Sequence, residues 1–444
     1  MSEKFPTAVI GMEIHVELKT ASKMFCGCVN DPFGADKPNI YTCPVCLGFP
    51  GALPVPNKKA VDWTIRLALA LNCDITRFSK FDRKHYSYPD LPKGYQISQY
   101  DQPIGHDGYI EIGEGEKRRK IRIRRVHLEE DTGKLVHQEV GGEEVSLIDF
   151  NRSSVPLVEI VTEPDLRSSE EAKEFAKKLH RIVRYTDVST ADMEKGSMRL
   201  EANVSVSPET VITDTNLPPY KVELKNINSF RFMALASDYE IARQREALGR
   251  GEKIPQETRG WDEAKKATRL QRVKEDAQEY RYFPDPDLPP MRFSEEHIAN
   301  IKAALPKLPD AYAKEFAAAG ASTESTDILT DDAALAELIS QSLAKVSDTK
   351  TFINWFLRKR EENAALTPDE LAKRFADEKG SKITDEAVIG EWVKTVIAEN
   401  PAVVAEFRAG KETTLMFFVG KIQKLAAGKA DAPTVMKVLR AQLA

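Results

Sequence analysis

The sequence predicts an α+β fold: a first part built on a mainly antiparallel sheet, followed by an all-helical C-terminal part. Three observations carry this. Several stretches before Pro290 alternate apolar and polar residues at period two, as half-buried strands do. Longer stretches between them repeat apolar residues at three and four, as amphipathic helices do. After the stiff run Pro284-Asp-Pro-Asp-Leu-Pro-Pro290 the chain turns rich in Ala, Leu, Lys and Glu, with helical spacing.

The first strand spans 9–18. Ile10, Met12, Ile14, Val16 and Leu18 point one way; Gly11, Glu13, His15 and Glu17 point the other. A helix is expected over 58–71. In 120–130 the alternation slips at Arg124-Arg125, since Ile121 and Ile123 are odd-numbered but Val126 and Leu128 even. A bulge there would explain the slip and set His127 and Glu129 on the face away from Val126 and Leu128. Residues 169–185 read as a helix with Ser168 as N-cap and Glu171 as its box partner. Its apolar stripe is Ala172, Phe175, Ala176, Leu179, Ile182 and Val183. In 199–206, Leu200, Ala202, Val204 and Val206 oppose Arg199, Glu201, Asn203 and Ser205. In 221–225, Val222 and Leu224 oppose Lys221, Glu223 and Lys225. A further helix covers 230–248, stopped by Gly249 and Gly251. One sheet face is therefore apolar, and the other is lined with carboxylates, Arg, Lys and Asn.

A chain of 444 residues is too long for one core, so roughly two to three domains are expected. With 41% apolar and 30% charged residues, disordered and fibrous classes are excluded. A net charge of −5 excludes a strong global pull onto nucleic acid, so any such contact must be local. No run of about 18 apolar residues and no apolar leader is present, so a cytoplasmic chain without membrane contact is expected.

Four of the five cysteines fall close together, as Cys26-Gly-Cys28 and Cys43-Pro-Val-Cys46. Four thiolates at this spacing can close a tetrahedral structural zinc site with no open position. The alternative is a set of reduced cysteines in a loop that only resembles a site. Cys73 follows a helix end and reads as a core thiol.

The polar face suits a harder ion. Glu13 and His15 lie ~6.6 Å apart on one side of a strand, a workable separation for flanking one cation. Glu129, Glu130 and Asp131 end another strand, Asp192-Met-Glu194 precedes a turn, and Glu201 and Glu223 sit on polar faces. So many acids repel unless cations bridge them. Magnesium carrying nucleotide phosphates would do so, with Arg199, Lys225 and Arg152 as phosphate partners. The alternative is a solvated face with scattered ion pairs.

The segment 80–100 interleaves Tyr with Lys, Pro and Gly. It suits base stacking and phosphate contact, or an ordinary surface loop with aromatic anchors. The basic run 117–125 reads as an exposed, partly paired strand. There is no P-loop, no G-x-G-x-x-G after a strand, no G-x-S-x-G, no Gly/Ser-rich amidase signature and no N-terminal Cys nucleophile.

Longer motifs add a resemblance. Gly11-Met-Glu13-Ile-His15-Val-Glu17-Leu18-Lys19-Thr20, Phe81-Asp-Arg-Lys84-His-Tyr86, Tyr88-Pro-Asp90 and Gly94-Tyr-Gln-Ile-Ser-Gln99 resemble the GatB family, the B component of the aspartyl/glutamyl-tRNA amidotransferases. So do His127-Leu-Glu-Glu-Asp131-Thr-Gly-Lys134, Asp149-Phe-Asn151-Arg152, Pro156-Leu-Val-Glu159-Ile160, Lys221-Val-Glu223-Leu-Lys225-Asn226-Ile-Asn228-Ser229-Phe230 and Arg281-Tyr-Phe-Pro284-Asp-Pro286-Asp287. The similarity spans 8–293. In the tail, Gly410-Lys411, Phe418-Val-Gly420-Lys421 and Gly428-Lys429-Ala430 also match, but the helical region before them is shorter by roughly a helix pair.

The resemblance implies a glutamine-synthetase-like cradle with the zinc loop at 1–293, a helical domain at 294–375 and a tRNA-contacting helical tail at 376–444. It implies that ATP phosphorylates the side-chain carboxylate of Glu on tRNA-Gln, or of Asp on tRNA-Asn, and that ammonia then displaces the phosphate. The amidase, the A component of the heterotrimer, would supply the ammonia. A small C component would strap the pair together. Family magnesium ligands map onto Glu13, His15 and one of Glu129 or Glu130. With the residue pattern, the expected catalytic set is Glu13, His15, Glu129, Glu130, Arg199, Glu223 and Lys225. Cofactor contacts are expected from Arg152, Asp192, Glu194, Glu201 and Asn203. Two alternatives remain: a zinc-stabilised RNA-binding module without chemistry, and a glutamine-synthetase-like ligase acting on free glutamate.

Overall fold

The computed structural model describes residues 4–273, 280–380 and 383–443. Two compact units are present, Met1–Ala311 and Tyr312–Ala444.

In the first unit the strands run β1 (Thr7–Glu17), β2 (Asp74–Ile75), β3 (Phe78–Ser79), β4 (Asp82–His85), β5 (Tyr95–Ser98), β6 (Gly105–Ile112), β7 (Arg119–Glu130), β8 (Lys134–Val140) and β9 (Glu143–Asp149). They continue as β10 (Pro156–Thr162), β11 (Met198–Ser207), β12 (Val222–Ile227), β13 (Glu257–Asp262), β14 (Ala267–Val273), β15 (Phe283–Pro284) and β16 (Met291–Arg292). Nine strands form one sheet in the order β14-β13-β12-β11-β1-β10-β7-β6-β2. Every pairing in it is antiparallel except β12 with β13. The mixed fold with an antiparallel-rich sheet is the one the alternation predicts.

The apolar face is buried as expected. Ile10, Met12, Ile14 and Val16 join Ile121, Ile123, Val126, Leu128, Val158, Ile160, Leu200 and Val204 in one core. Helices α1 (Lys58–Ala70), α2 (Ser169–Tyr185) and α3 (Phe230–Gly249) cover it. Phe175, Leu179 and Val183 of α2 are fully buried there. Burying a side chain of this size is worth ~1.5–3 kcal/mol. The bulge sits where the slip places it: Val161 pairs with Arg125 but Thr162 with Ile123, leaving Arg124 as the extra residue.

Helix starts follow cap chemistry. Asn57 caps α1 and Ser168 caps α2. The capping box at α2 is only half made. The Glu171 carboxylate accepts from the Arg167 amide, one residue before the cap, and pairs with Arg119, because that cation is within reach. Helix α3 includes Gly249, and Gly251 takes the left-handed conformation after it, with φ +82°.

The basic run leading into β7 is heavily paired. Arg118 meets Glu111, Arg119 meets Glu171, Arg122 meets Asp165 and Asp214, and Arg124 meets Glu163. The Pro-rich run 284–290 is packed rather than free. Leu288 joins the core, and buried Asp285 accepts from Arg83 at 2.8 Å. Helix α4 (Glu295–Ala303) then packs on α1, pinned by His297 Nε2 to Asp62 at 2.9 Å.

Beyond it the described chain is helical, as expected. Helix α5 (Pro309–Ala318) spans the boundary between the units. There follow α6 (Thr323–Leu329), α7 (Ala333–Leu343), α8 (Thr349–Arg358), α9 (Arg360–Asn363), α10 (Pro368–Gly380), α11 (Glu386–Glu399), α12 (Pro401–Arg408), α13 (Thr414–Leu425) and α14 (Ala432–Leu443). Phe352 and Phe375 meet edge to face at 5.4 Å between centroids. Ile389, Val393, Leu415, Phe418, Ile422, Val435 and Leu439 form a separate small core over α11 to α14. No described helix is long and apolar enough to cross a membrane.

Candidate active site on the polar sheet face

Strand β1 runs through the middle of the sheet, so its polar face has neighbours on both sides. His15 sits between Arg199 on β11 and Glu159 on β10, and Glu159 in turn faces His127 on β7. The His15 Nε2 atom is 3.6 Å from Glu159 and 3.9 Å from Glu129. The His127 Nε2 atom is 3.2 Å from Glu159 and 3.6 Å from Glu129. His15, Glu129 and Glu159 offer ligand atoms all within 4.8 Å of one another. Burial alone would pull the His15 imidazolium down, but Glu159, then Glu201 and Glu129, outweigh it and hold it at about 9. Burial would likewise push the Glu159 carboxyl up, yet His127 and His15 hold it well below the usual range. Ser98 Oγ donates to Glu129 at 3.0 Å. Lys84 keeps its proton against burial because Glu129 and Glu159 face it.

A second cluster lies two residues along β1. Glu13, Glu201 and Glu223 also bring oxygens within 4.8 Å of one another. Asn203 donates to Glu13 at 2.8 Å, and Lys221 stands 3.8 Å from it. Lys225 reaches Glu201 at 3.0 Å and Glu223 at 3.4 Å, and Thr258 donates to Glu223 at 2.9 Å. The structure thus places Glu13 and His15 in neighbouring clusters rather than around a single point. The reason is register: the residue opposite Glu13 on β11 is Glu201, whereas His15 is opposite Glu159 on β10.

Glu129 and Glu130 part company. Glu130 turns to the other side, where Lys93 meets it at 2.7 Å and the Ile97 amide donates at 3.0 Å. It lines a cavity of about 210 Å³ with Phe25, Val45, Phe49, Lys93 and Tyr95. Glu129 is therefore the member of the pair that stands with His15.

Arg199 is engaged by Asp131 at 2.7 Å, and Arg152 lies 3.7 Å from the same carboxylate. Arg152 also donates to the Thr132 and Gly133 carbonyls at 3.0 and 2.8 Å. Glu17 is buried beside Asp131, and burial with that neighbouring charge raises its carboxyl to about 8. Asp192 and Glu194 do not join either carboxylate cluster. Asp192 Oδ1 accepts from the Glu194 and Lys195 amides and shapes the turn, and Glu194 is exposed.

The aromatic segment 80–100 is not a free surface loop. Strands β15, β4 and β5 form a small sheet, and Phe81, Gln96, Ile97, Ser98 and Gln99 in and beside it are buried. It borders the carboxylates through Ser98 and Lys84. At its margin Tyr100 stacks on Tyr282 at 4.3 Å, and Lys84 lies 5.0 Å from the Tyr280 ring.

Cys26, Cys28, Cys43 and Cys46 bring four sulfurs within 4.8 Å of one another. Cys43 and Cys46 sulfurs are 3.9 Å apart, close to the edge of a tetrahedron with metal–sulfur bonds of ~2.3 Å. The Cys43 amide donates to Cys46 Sγ at 3.1 Å. Hydrogen bonding from Cys26 brings the Cys46 thiol down to about 5, against its burial, with help from Lys23. This donor set fits a thiophilic tetrahedral ion. Cys73 is buried in the main core, and burial pushes its thiol up to about 12.

From the sequence, Glu159 has no role, His127 only a place on the polar face, and Lys84 only a share in the phosphate-contact reading of 80–100. Glu159 carried a signal, as a lone acid inside the apolar run Pro156-Leu-Val-Glu-Ile-Val161.

The sheet thus presents two carboxylate clusters, and a loop four cysteines, that could each hold a metal ion, an arrangement suited to an enzyme. Comparison narrows it. Residues 8–299 match the GatB/GatE catalytic domain, and residues 362–443 match the GatB domain. The chain belongs to the GatB family. It is similar to the B subunit of the aspartyl/glutamyl-tRNA(Asn/Gln) amidotransferase of Brevibacillus brevis, 44% identical over 97% of this chain and 98% of that protein. The B subunit of the Thermotoga maritima amidotransferase is also 44% identical, over 97% and 98%. That of Thermomicrobium roseum is 44% identical over 98% of each. Each alignment has more positions than this chain has residues, so the relatives carry insertions that this chain lacks.

Proposed function

We propose that this chain is the carboxylate-activating subunit of a tRNA-dependent amidotransferase. It phosphorylates the side-chain carboxylate of Glu on tRNA-Gln, or of Asp on tRNA-Asn, with ATP, and passes it to ammonia. The observation that carries the reading is the pair of anionic clusters side by side on β1, flanked by Lys84, Arg199 and Lys225. A carboxylate is a poor electrophile, and phosphorylation gives it a leaving group. Magnesium held by His15, Glu129 and Glu159, and by Glu13, Glu201 and Glu223, would supply charge neutralisation for that transfer.

The chain's own groups divide the remaining work. Asn203 and Thr258 orient Glu13 and Glu223 through their hydrogen bonds. Lys84, and the donors of Arg199 not taken by Asp131, are suited to phosphate oxygens. Tyr100 and Tyr282 offer a stacking margin for a base. The small sheet β15-β4-β5 keeps water from one side of the clusters. Cys26, Cys28, Cys43 and Cys46 hold zinc as a closed structural centre. We assign the catalytic part to 1–293, a glutamine-synthetase-like cradle, with a helical part at 294–375 and a tRNA-contacting tail at 376–444. Ammonia comes from an amidase partner, and a small third component completes the complex in the cytoplasm.

The test is the reconstituted complex with glutamyl-tRNA or aspartyl-tRNA, ATP and magnesium. Amide should form from glutamine with the amidase present, and from free ammonia without it. Amidation of free glutamate in the absence of tRNA would point instead to a glutamine-synthetase-like ligase. RNA binding without ATP turnover would point to a binding module.

A further inference from the structure

Lys23 is among the largest side chains buried completely in this protein. A buried ammonium is costly unless an anion compensates it. Among the described residues no carboxylate lies within ion-pair distance of it. Its Nζ atom has two neighbours instead. One is the Phe150 carbonyl at 3.2 Å, and the other is Cys46 Sγ at 4.0 Å. A carbonyl satisfies a hydrogen bond but not a charge. A neutral thiol would not compensate the charge either, whereas a Cys46 thiolate would. A divalent ion on four thiolates carries a net charge of about −2, which would.

The surroundings make Lys23 a joint as well. Its amide donates to the Cys28 carbonyl at 3.0 Å, inside the metal loop. The turn that holds its ammonium also grips that loop. Ser153 Oγ donates to the Cys46 carbonyl at 3.1 Å, and Asn151 binds the Tyr41 amide and the Lys37 carbonyl, both at 2.8 Å. The same turn carries Arg152, which reaches Asp131 at the polar sheet face.

We propose that Lys23 is the buried counter-cation of the four-cysteine centre and locks that centre to the turn at 150–152. The proposal rests on the reading of the cysteines as a zinc site. Charge and packing roles make opposite predictions. Methionine fills nearly the volume of lysine without its charge, whereas arginine keeps the charge and is larger.

The experiment uses full-length protein and zinc. Zinc content of the wild type is measured first, and a wild type without zinc removes the metal reading itself. With zinc present, transfer to a competing chelator is followed for the wild type, Lys23→Met and Lys23→Arg, with circular dichroism recorded on each. Lys23→Met should lose roughly 10- to 100-fold in zinc affinity, as losses around metal ligands do, and Lys23→Arg should lose much less. If Lys23→Met is insoluble, Lys23→Gln keeps a donor for Phe150 without the charge and takes its place. Wild-type zinc affinity in the uncharged variant, or a larger loss in Lys23→Arg, would overturn the proposal.

Discussion

His15 on β1 faces Glu159 on β10 directly, with Nε2 3.6 Å from the carboxylate, Glu159 buried and His15 half-buried. The contact brings two strand positions together as candidate ligands for one cation. Glu159→Gln keeps the shape and removes the charge. It should lower the melting temperature, because His15 and His127 lose the carboxylate that compensates their charge, and cut amide formation at a permissive temperature by roughly a hundredfold, the scale on which a preorganised charge contributes. Wild-type turnover in this variant would show that the contact is only structural.

Glu13→Gln and His15→Ala probe the two clusters separately. Each should cut phosphorylation of the tRNA-linked carboxylate by roughly a hundredfold or more, worth ~3 kcal/mol or more. Affinity for tRNA should persist, because phosphate contacts dominate it. Excess magnesium should partly restore His15→Ala by mass action. Filter binding and an ATP-dependent amidation assay read these apart. Parallel loss of tRNA affinity would mean that the strand itself has been disturbed.

How far this site can be read from sequence depends on the strand. The polar face of β1 is legible because Ile10, Met12, Ile14 and Val16 alternate cleanly with it. The bulge at Arg124 is legible for the same reason, since the alternation slips there. The same alternation already sets Glu129 and Glu130 on opposite faces. What it lacks is Lys93, the partner that draws Glu130 away, 37 residues distant in the chain. Glu159 is harder. Its strand is buried on both faces, so the apolar run around it gives no direction to a side chain. Asp192 and Glu194 look like ligands by type, but a turn needs a carboxylate at its first position as much as a cation does.

The split between Glu129 and Glu130 gives a contrast. Glu129→Gln should raise the magnesium concentration needed for half-maximal activity, because it stands with His15 and Glu159. Glu130→Gln should leave that concentration unchanged and act through Lys93, which it leaves without its carboxylate. Magnesium titrations of both variants decide this. Equal shifts in the two would remove the distinction.

The core supplies a control free of chemistry. Phe175 is fully buried on α2 against the apolar sheet face. Phe175→Ala should destabilise the first unit by ~3–5 kcal/mol, through lost burial and the cavity left behind. Denaturant unfolding measures it. A loss below ~1 kcal/mol would mean that the helix can collapse onto the sheet.

The cysteine centre should behave as a staple rather than a catalyst. Its four sulfurs close on one another with no position left for substrate, and Cys46 is buried. Purified protein should hold about one zinc per chain. Cys43→Ser removes one ligand and the amide that orients Cys46 stays in place. It should lower the melting temperature and speed proteolysis of the loop between Cys28 and Cys43, while activity at a permissive temperature falls much less. The effect on the carboxylate clusters should be indirect, through the turn at 150–152 that the loop supports. Metal analysis, thiol titration in the native state and amidation at two temperatures test this together. Freely titratable thiols in active wild-type protein would show that the loop holds its shape without an ion.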